Sequence, residues 1–131
     1  MQKLILSWLR ADRFFKLLAI LTTVIVAYLS LKPPGPDSTT WNFLIFRQDI
    51  VLHFLCYFLL TAVYFTALFK YSDAIKISFS SSFLMGFLME LLQLIPFLER
   101  TFDLADIAAN LTGSLFGILL IRLLFADSLK K

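Results

Sequence analysis

The chain has 131 residues, of which 60% are hydrophobic and 16% are charged, and its mean hydropathy is +0.84. A water-soluble domain carries about a quarter charged residues, so this composition excludes a soluble globule and predicts a single membrane domain over residues 1–131. The net charge of +3 then reports membrane topology rather than a nucleic-acid partner. A single cysteine, Cys56, excludes an intrachain disulfide.

Four segments are long and apolar enough to cross a bilayer, which takes about 20 mostly apolar residues per helix. The first precedes a Pro/Gly cluster that cannot continue a helix, and the third is closed by Pro96. No small-x-small cleavage site follows the first, which disfavours a signal peptide, and residues 1–13 are predicted to be an amphipathic lead-in at the interface. The sequence therefore predicts an all-α, four-helix transmembrane bundle, with spans near 14–31, 50–69, 75–95 and 104–125.

The distribution of basic residues predicts the orientation of these spans. Nine lysines and arginines fall in the N-terminal segment, the second connection and the C-terminal end, against three on the opposite side. The positive-inside rule then places both termini in the cytoplasm and the first and third connections outside.

Three of the predicted spans carry their polar and small residues on one helical face, at about 100° per residue. These are, in the second, Asp49, His53 and Tyr57; in the third, Ser82, Gly86, Glu90 and Gln93; in the fourth, Asp106, Asn110, Gly113 and Gly117. With a rise of about 1.5 Å per residue, all three stripes place their ionisable groups in the outer half of the bilayer.

An ionised carboxylate facing lipid costs several kcal/mol, so Glu90, Asp106 and His53 are expected to face one another or a water-filled pocket. Arg100 is the expected counter-charge. Each residue alone has a structural interpretation: Asp49 and Asp106 as helix caps or first-turn acids, and His53 as a hydrogen bond to a neighbouring helix.

However, these ionisable groups are predicted to lie together at one depth in the bilayer. That clustering favours a functional site over separate structural hydrogen bonds. The predicted polar cluster comprises Asp49, His53, Tyr57, Glu90, Gln93, Arg100, Asp103, Asp106 and Asn110. Gly86, Gly113 and Gly117 are predicted to be packing positions, within the bundle or between chains. No metal or cofactor is predicted, because one histidine with several acids lacks the tight spacing of a metal motif.

Two long motifs carry a family resemblance. The first is Asp49-x-x-x-His53-Phe54-x-x-Tyr57-x-x-Leu60; the second runs from Gly86-x-x-x-Glu90-x-x-Gln93 through Arg100, Asp103, Asp106 and Asn110 to Gly113-x-x-x-Gly117. Together with Leu29-Ser30-Leu31-Lys32-Pro33, they make nearly the whole chain resemble the VanZ-like family. One position differs: Asp49 is followed by Ile50, where many members of the family have lysine.

The resemblance implies a multi-pass protein of the bacterial cytoplasmic membrane, acting at the cell envelope. Some members are linked to lower sensitivity to glycopeptides such as teicoplanin, so a lipid-linked cell-wall precursor or a lipoglycopeptide, besides membrane lipid, is the expected partner. The sequence leaves open an alternative, a membrane enzyme using acid/base or metal-assisted chemistry, although a non-catalytic role is favoured. A second alternative, an oligomeric transporter, is weakened by inner half-spans almost free of charge, and homo-oligomerisation stays open.

Overall fold

The computed structural model describes residues 12–33 and 42–125, and most of these are helical. Four long helices span α1 (Asp12–Leu31), α2 (Gln48–Leu68), α3 (Ala74–Leu92) and α4 (Leu104–Phe125). Two short strands, β1 (Asn42–Phe43) and β2 (Phe46–Arg47), form an antiparallel hairpin just before α2. The four helices are long and apolar enough to cross a membrane. The predicted all-α four-helix membrane bundle is therefore confirmed.

The helix bounds differ from the predicted spans mainly at the end of α3. The sequence places that end at Ile95, whereas the helix stops at Leu92 and the chain turns before a 3-10 helix at Pro96–Leu98. The physical reason is the proline, which disfavours helical geometry in the residue before it, and Ile95 is accordingly extended with ψ of 116°. Glu90 consequently lies in the last turn of α3. The predicted lead-in over residues 1–13 lies almost wholly outside the described residues.

The bundle has two ends. At one, which we call the hairpin end, α2 and α4 begin and α1 and α3 finish. We call the opposite one the turn end. α2 packs against each of the other three helices, most extensively against α4. At the turn end the core is apolar and is built from aromatic and aliphatic side chains, chiefly Phe65, Ala74, Ile121 and Phe125. The buried ionisable side chains that the structure describes lie instead at the hairpin end.

Two glycines of α4 allow its close approach to α2. A Cβ added at Gly113 would lie 2.3 Å from the carbonyl oxygen of Phe54, and one at Gly117 would lie 3.0 Å from that of Phe58. Only glycine permits such backbone contact. The predicted packing role of this pair is thus seen within one chain, between α2 and α4.

A chain of buried hydroxyls crosses the middle of the bundle. The Ser82 hydroxyl lies 2.6 Å from that of Thr61 and 2.7 Å from that of Ser114, so α3 is linked to both α2 and α4. Thr61 also bonds its own helix at the Tyr57 carbonyl. The Ser82 hydroxyl therefore bonds to two other helices.

Candidate polar site at the hairpin end

Four buried side chains from three helices meet at the hairpin end: His53 of α2, Glu90 of α3, and Asp106 and Asn110 of α4. We call these four residues the buried polar site. His53 occupies its centre. Its Nδ1 lies 2.9 Å from Asn110 Oδ1 and 3.8 Å from Glu90 Oε1, and its Nε2 lies 3.5 Å from Asp106 Oδ2. The three stripes predicted from the sequence therefore converge.

The two acids of the buried polar site have unused hydrogen-bonding capacity. Glu90 is fully buried and Asp106 is 5% exposed, yet Glu90 Oε1 and Asp106 Oδ1 have no hydrogen-bond partner, and neither has Asn110 Nδ2. Buried polar groups in folded proteins are nearly always paired, so orphaned atoms at one place need an explanation. Three of them around one imidazole indicate a site that takes a further small polar or charged group.

Tyr57 and Gly86 form the floor of the buried polar site. Tyr57 is fully buried one turn after His53. Gly86 faces it, because a Cβ there would lie 2.9 Å from the Tyr57 ring and 3.0 Å from Asn110 Nδ2. Gly86 therefore leaves room for the tyrosine ring and the amide side by side.

An exposed group of charges lies at the rim of the hairpin end. The Arg47 guanidinium pairs with Asp103 at 2.7 Å and with Asp49 at 3.2 Å. The backbone N–H of Ala105 and the Arg47 guanidinium hold the pKa of Asp103 below its usual range, so its carboxylate is ionised at neutral pH. Asp103 also touches the buried polar site, since its backbone N–H donates to Glu90 Oε2 at 3.5 Å. One residue thus connects the rim to the buried acid.

The predicted counter-charge needs correction. The sequence assigns Arg100 to Glu90 or Asp106, but among the described residues no ion pair joins Arg100 to either acid, and Arg100 acts on Glu90 only at longer range. The rim arginine that forms ion pairs is Arg47. Left-handed backbone at Glu99, with φ of 50°, redirects the connection just before Arg100, which the sequence does not reveal.

The remaining predicted members lie at the edge of the site. Asp49 is half-exposed and belongs to the rim rather than to the buried polar site. Gln93 is buried at the end of α3, where its Nε2 donates to the Ser30 carbonyl at 3.0 Å and ties α1 to α3. Gln93 therefore acts in helix association rather than beside His53.

The cap of α4 is Asp103 and not Asp106. Asp103 Oδ1 accepts the Ala105 backbone N–H at 2.8 Å, whereas the Asp106 side chain turns inward toward His53. The capping interpretation that the sequence leaves open for Asp106 thus applies to its neighbour three residues earlier. Asp106 is free to serve the buried polar site.

Asp103→Ala is expected to lower the free energy of unfolding by about 1 kcal/mol, the usual cost of losing an N-cap. Arg47→Ala should have a smaller effect, because the ion pair is exposed and screened by solvent. Asp103→Asn retains a capping oxygen and serves as the matched control. Unfolding in mixed micelles, followed by circular dichroism, measures all three, and equal losses for Asp103→Ala and Asp103→Asn would contradict the capping role.

Three polar residues that the sequence-based prediction omits turn out to be structural neighbours of the site: Arg47, Thr61 and Ser114. Thr61 is four residues after Tyr57 and Ser114 four after Asn110. Both therefore continue the polar stripes by one helical turn, and this spacing could have identified them. Arg47 lies in the hairpin, where helical periodicity gives no signal.

Comparison with known proteins adds no assignment: no family model, no curated protein and no solved structure matches this chain.

Proposed function

We propose that this chain is a VanZ-like protein of the bacterial cytoplasmic membrane, with its hairpin end facing outward. There it contacts the polar headgroup of a lipid-linked envelope component, or a lipoglycopeptide such as teicoplanin, and thereby lowers sensitivity to such compounds. The residues of the two motifs support the family, and the count of basic residues supports the orientation.

The observation that carries the proposal is the joint position of the rim and the buried polar site. Asp103 pairs with Arg47 at the surface and donates its backbone N–H to buried Glu90. A headgroup that engages Arg47 would therefore be sensed at Glu90 through a single residue. A guanidinium is suited to this contact, because it binds phosphate and carboxylate groups in bidentate geometry.

The surface of the bundle suits a lipid-borne partner. The outward-facing sides of the helices are apolar, with residues such as Leu52, Leu55, Leu94 and Leu104 exposed near the hairpin end. In a membrane these side chains face acyl chains, while Arg47 and Asp103 face the headgroup region. A ligand with both an acyl chain and a charged headgroup would contact both surfaces at once.

The test is antibiotic tolerance in a sensitive bacterial host that produces the full chain. We expect wild-type protein to raise the minimal inhibitory concentration of teicoplanin, and Glu90→Gln and Arg47→Ala to lose most of this gain. Lys76→Gln, at the exposed turn end, is the control and should behave as wild type. Membrane insertion is checked by fractionation. Variants that insert normally and retain full tolerance would contradict the proposal.

A membrane enzyme acting on a lipid-linked substrate is the alternative that one specific observation favours. His53 lies between two carboxylates, with Glu90 nearest Nδ1 and Asp106 nearest Nε2. An imidazole so placed can accept or deliver a proton at either nitrogen. Turnover of undecaprenyl-linked substrates by purified protein would distinguish this alternative from binding alone.

A further inference from the structure

We propose that His53, Glu90 and Asp106 bind one divalent transition-metal ion of the zinc class between α2, α3 and α4. One donor atom from each residue lies within 4.8 Å of the other two. The inference concerns the same side chains as the proposed function, but it holds whether or not the protein affects antibiotic tolerance. It departs from the absence of a metal site that the sequence predicts.

The closest pair of donors has the spacing expected at a tetrahedral ion. Zinc lies about 2.1 Å from imidazole nitrogen and carboxylate oxygen, so two of its ligand atoms are about 3.4 Å apart. His53 Nε2 and Asp106 Oδ2 are 3.5 Å apart. This distance is longer than a good hydrogen bond, and it matches the separation of two atoms that bind the same metal ion.

The charge at the site calls for a cation. Glu90 and Asp106 bring two carboxylates into an apolar bundle, and in the described part of the chain neither forms an ion pair with a lysine or arginine. Buried charges are normally paired or bound to metal, because an unpaired one is costly to desolvate. One divalent ion would neutralise both acids while His53 stays neutral.

The orphaned oxygens are an independent indication of a ligand. Glu90 Oε1 and Asp106 Oδ1 are buried without hydrogen-bond partners on either side of the His53 ring. Glu90 lies on the Nδ1 side of the ring, so coordination of an ion at Nε2 requires the Glu90 side chain to close on Asp106, and an ion-bound water could reach Asp106 Oδ1. The donor atoms are thus already free for this use.

Asn110 prepares the imidazole for coordination. Its Oδ1 lies 2.9 Å from His53 Nδ1, so Nδ1 donates its hydrogen to the amide oxygen and the lone pair is left on Nε2, facing Asp106. Metal-bound histidines are typically held in this way by an acceptor on the other ring nitrogen. Asn110 is therefore a positioning residue for the ion.

The donor set also selects the kind of ion. An imidazole nitrogen with carboxylate oxygens suits zinc and neighbouring transition metals, whereas calcium and magnesium prefer oxygen ligands alone. Three protein ligands leave a fourth position for water or for a phosphate oxygen of a ligand.

The experiment uses the full chain, purified in detergent with its affinity tag removed, stripped with a chelator and then supplied with zinc. We expect about one zinc per chain after desalting, measured by plasma mass spectrometry. Glu90→Gln, Asp106→Asn and His53→Gln should each retain less than a tenth of this. Asn110→Ala should weaken binding by about 10- to 100-fold. Asp73→Asn at the turn end is the control and should retain the wild-type amount.

A second measurement on wild-type protein needs no variant. Cobalt added to the stripped chain should give the visible absorption of a tetrahedral site, and one equivalent of zinc should abolish it. Retention of less than a tenth of an equivalent of zinc, or cobalt absorption that zinc does not displace, would overturn the proposal. So would wild-type retention by monodisperse Glu90→Gln and Asp106→Asn variants. If wild-type protein bound no metal but still conferred tolerance, the metal proposal would fail while the proposed function stood.

Discussion

Gly113→Ala is expected to lower the free energy of unfolding by about 3 kcal/mol. The added Cβ would lie 2.3 Å from the carbonyl oxygen of Phe54 and 3.0 Å from its carbonyl carbon, which are backbone atoms of α2. A backbone cannot rotate away as a side chain can, so α4 must shift. That shift would also move Asn110, one turn earlier, away from His53.

Graded controls make this prediction specific. Gly117→Ala should cost less, because its Cβ would meet the Phe58 carbonyl oxygen at 3.0 Å and then Thr61 side-chain atoms. Thr112→Ala, on the exposed side of the same helix, should change stability little. Unfolding in mixed micelles ranks the three, and a Gly113→Ala chain as stable as Thr112→Ala would show that α2 and α4 do not approach closely.

His53→Leu is expected to destabilise the bundle by about 1–3 kcal/mol, the cost of leaving buried polar groups without their partner. Leucine fills a similar volume but leaves Glu90 and Asp106 facing each other without the imidazole. The measurement is made in the presence of a chelator, so that stabilisation by a bound ion does not contribute.

Neutralising both acids should restore much of that loss. In the triple variant His53→Leu, Glu90→Gln, Asp106→Asn, no buried charge remains, and we expect recovery of about half the lost free energy. If the triple variant is no more stable than His53→Leu alone, packing around the ring, and not charge, is what His53 supplies.

The helices could be predicted from the sequence because the bilayer sets their length and hydropathy. The span predicted over 104–125 coincides with α4. The end of α3 could not be predicted as well, because apolar residues continue through Ile95 while the proline changes only the backbone. Hydropathy detects the apolar residues but not the point at which the proline ends the helix.

The site could be predicted in part. Helical periodicity identifies the faces that carry His53, Glu90 and Asp106, since a helix fixes the direction of each side chain. It does not give the rotation of one helix against another or the course of the connections. The pairing of Arg47 with Asp103, 56 residues later, depends on both, which is why the sequence does not predict it. Convergence of three donors on one point is equally a tertiary property.

The five residues 69–73 between α2 and α3 have a consequence for how the chain enters the membrane. So short a link lets the two helices partition from the translocation machinery together, as a preformed helical hairpin. His53 and Glu90 lie on its two arms, with His53 Nδ1 3.8 Å from Glu90 Oε1. The acid of α3 would therefore meet its imidazole during biogenesis, before α4 is released by the ribosome. Lengthening this link would expose Glu90 alone to lipid and is expected to lower insertion yield.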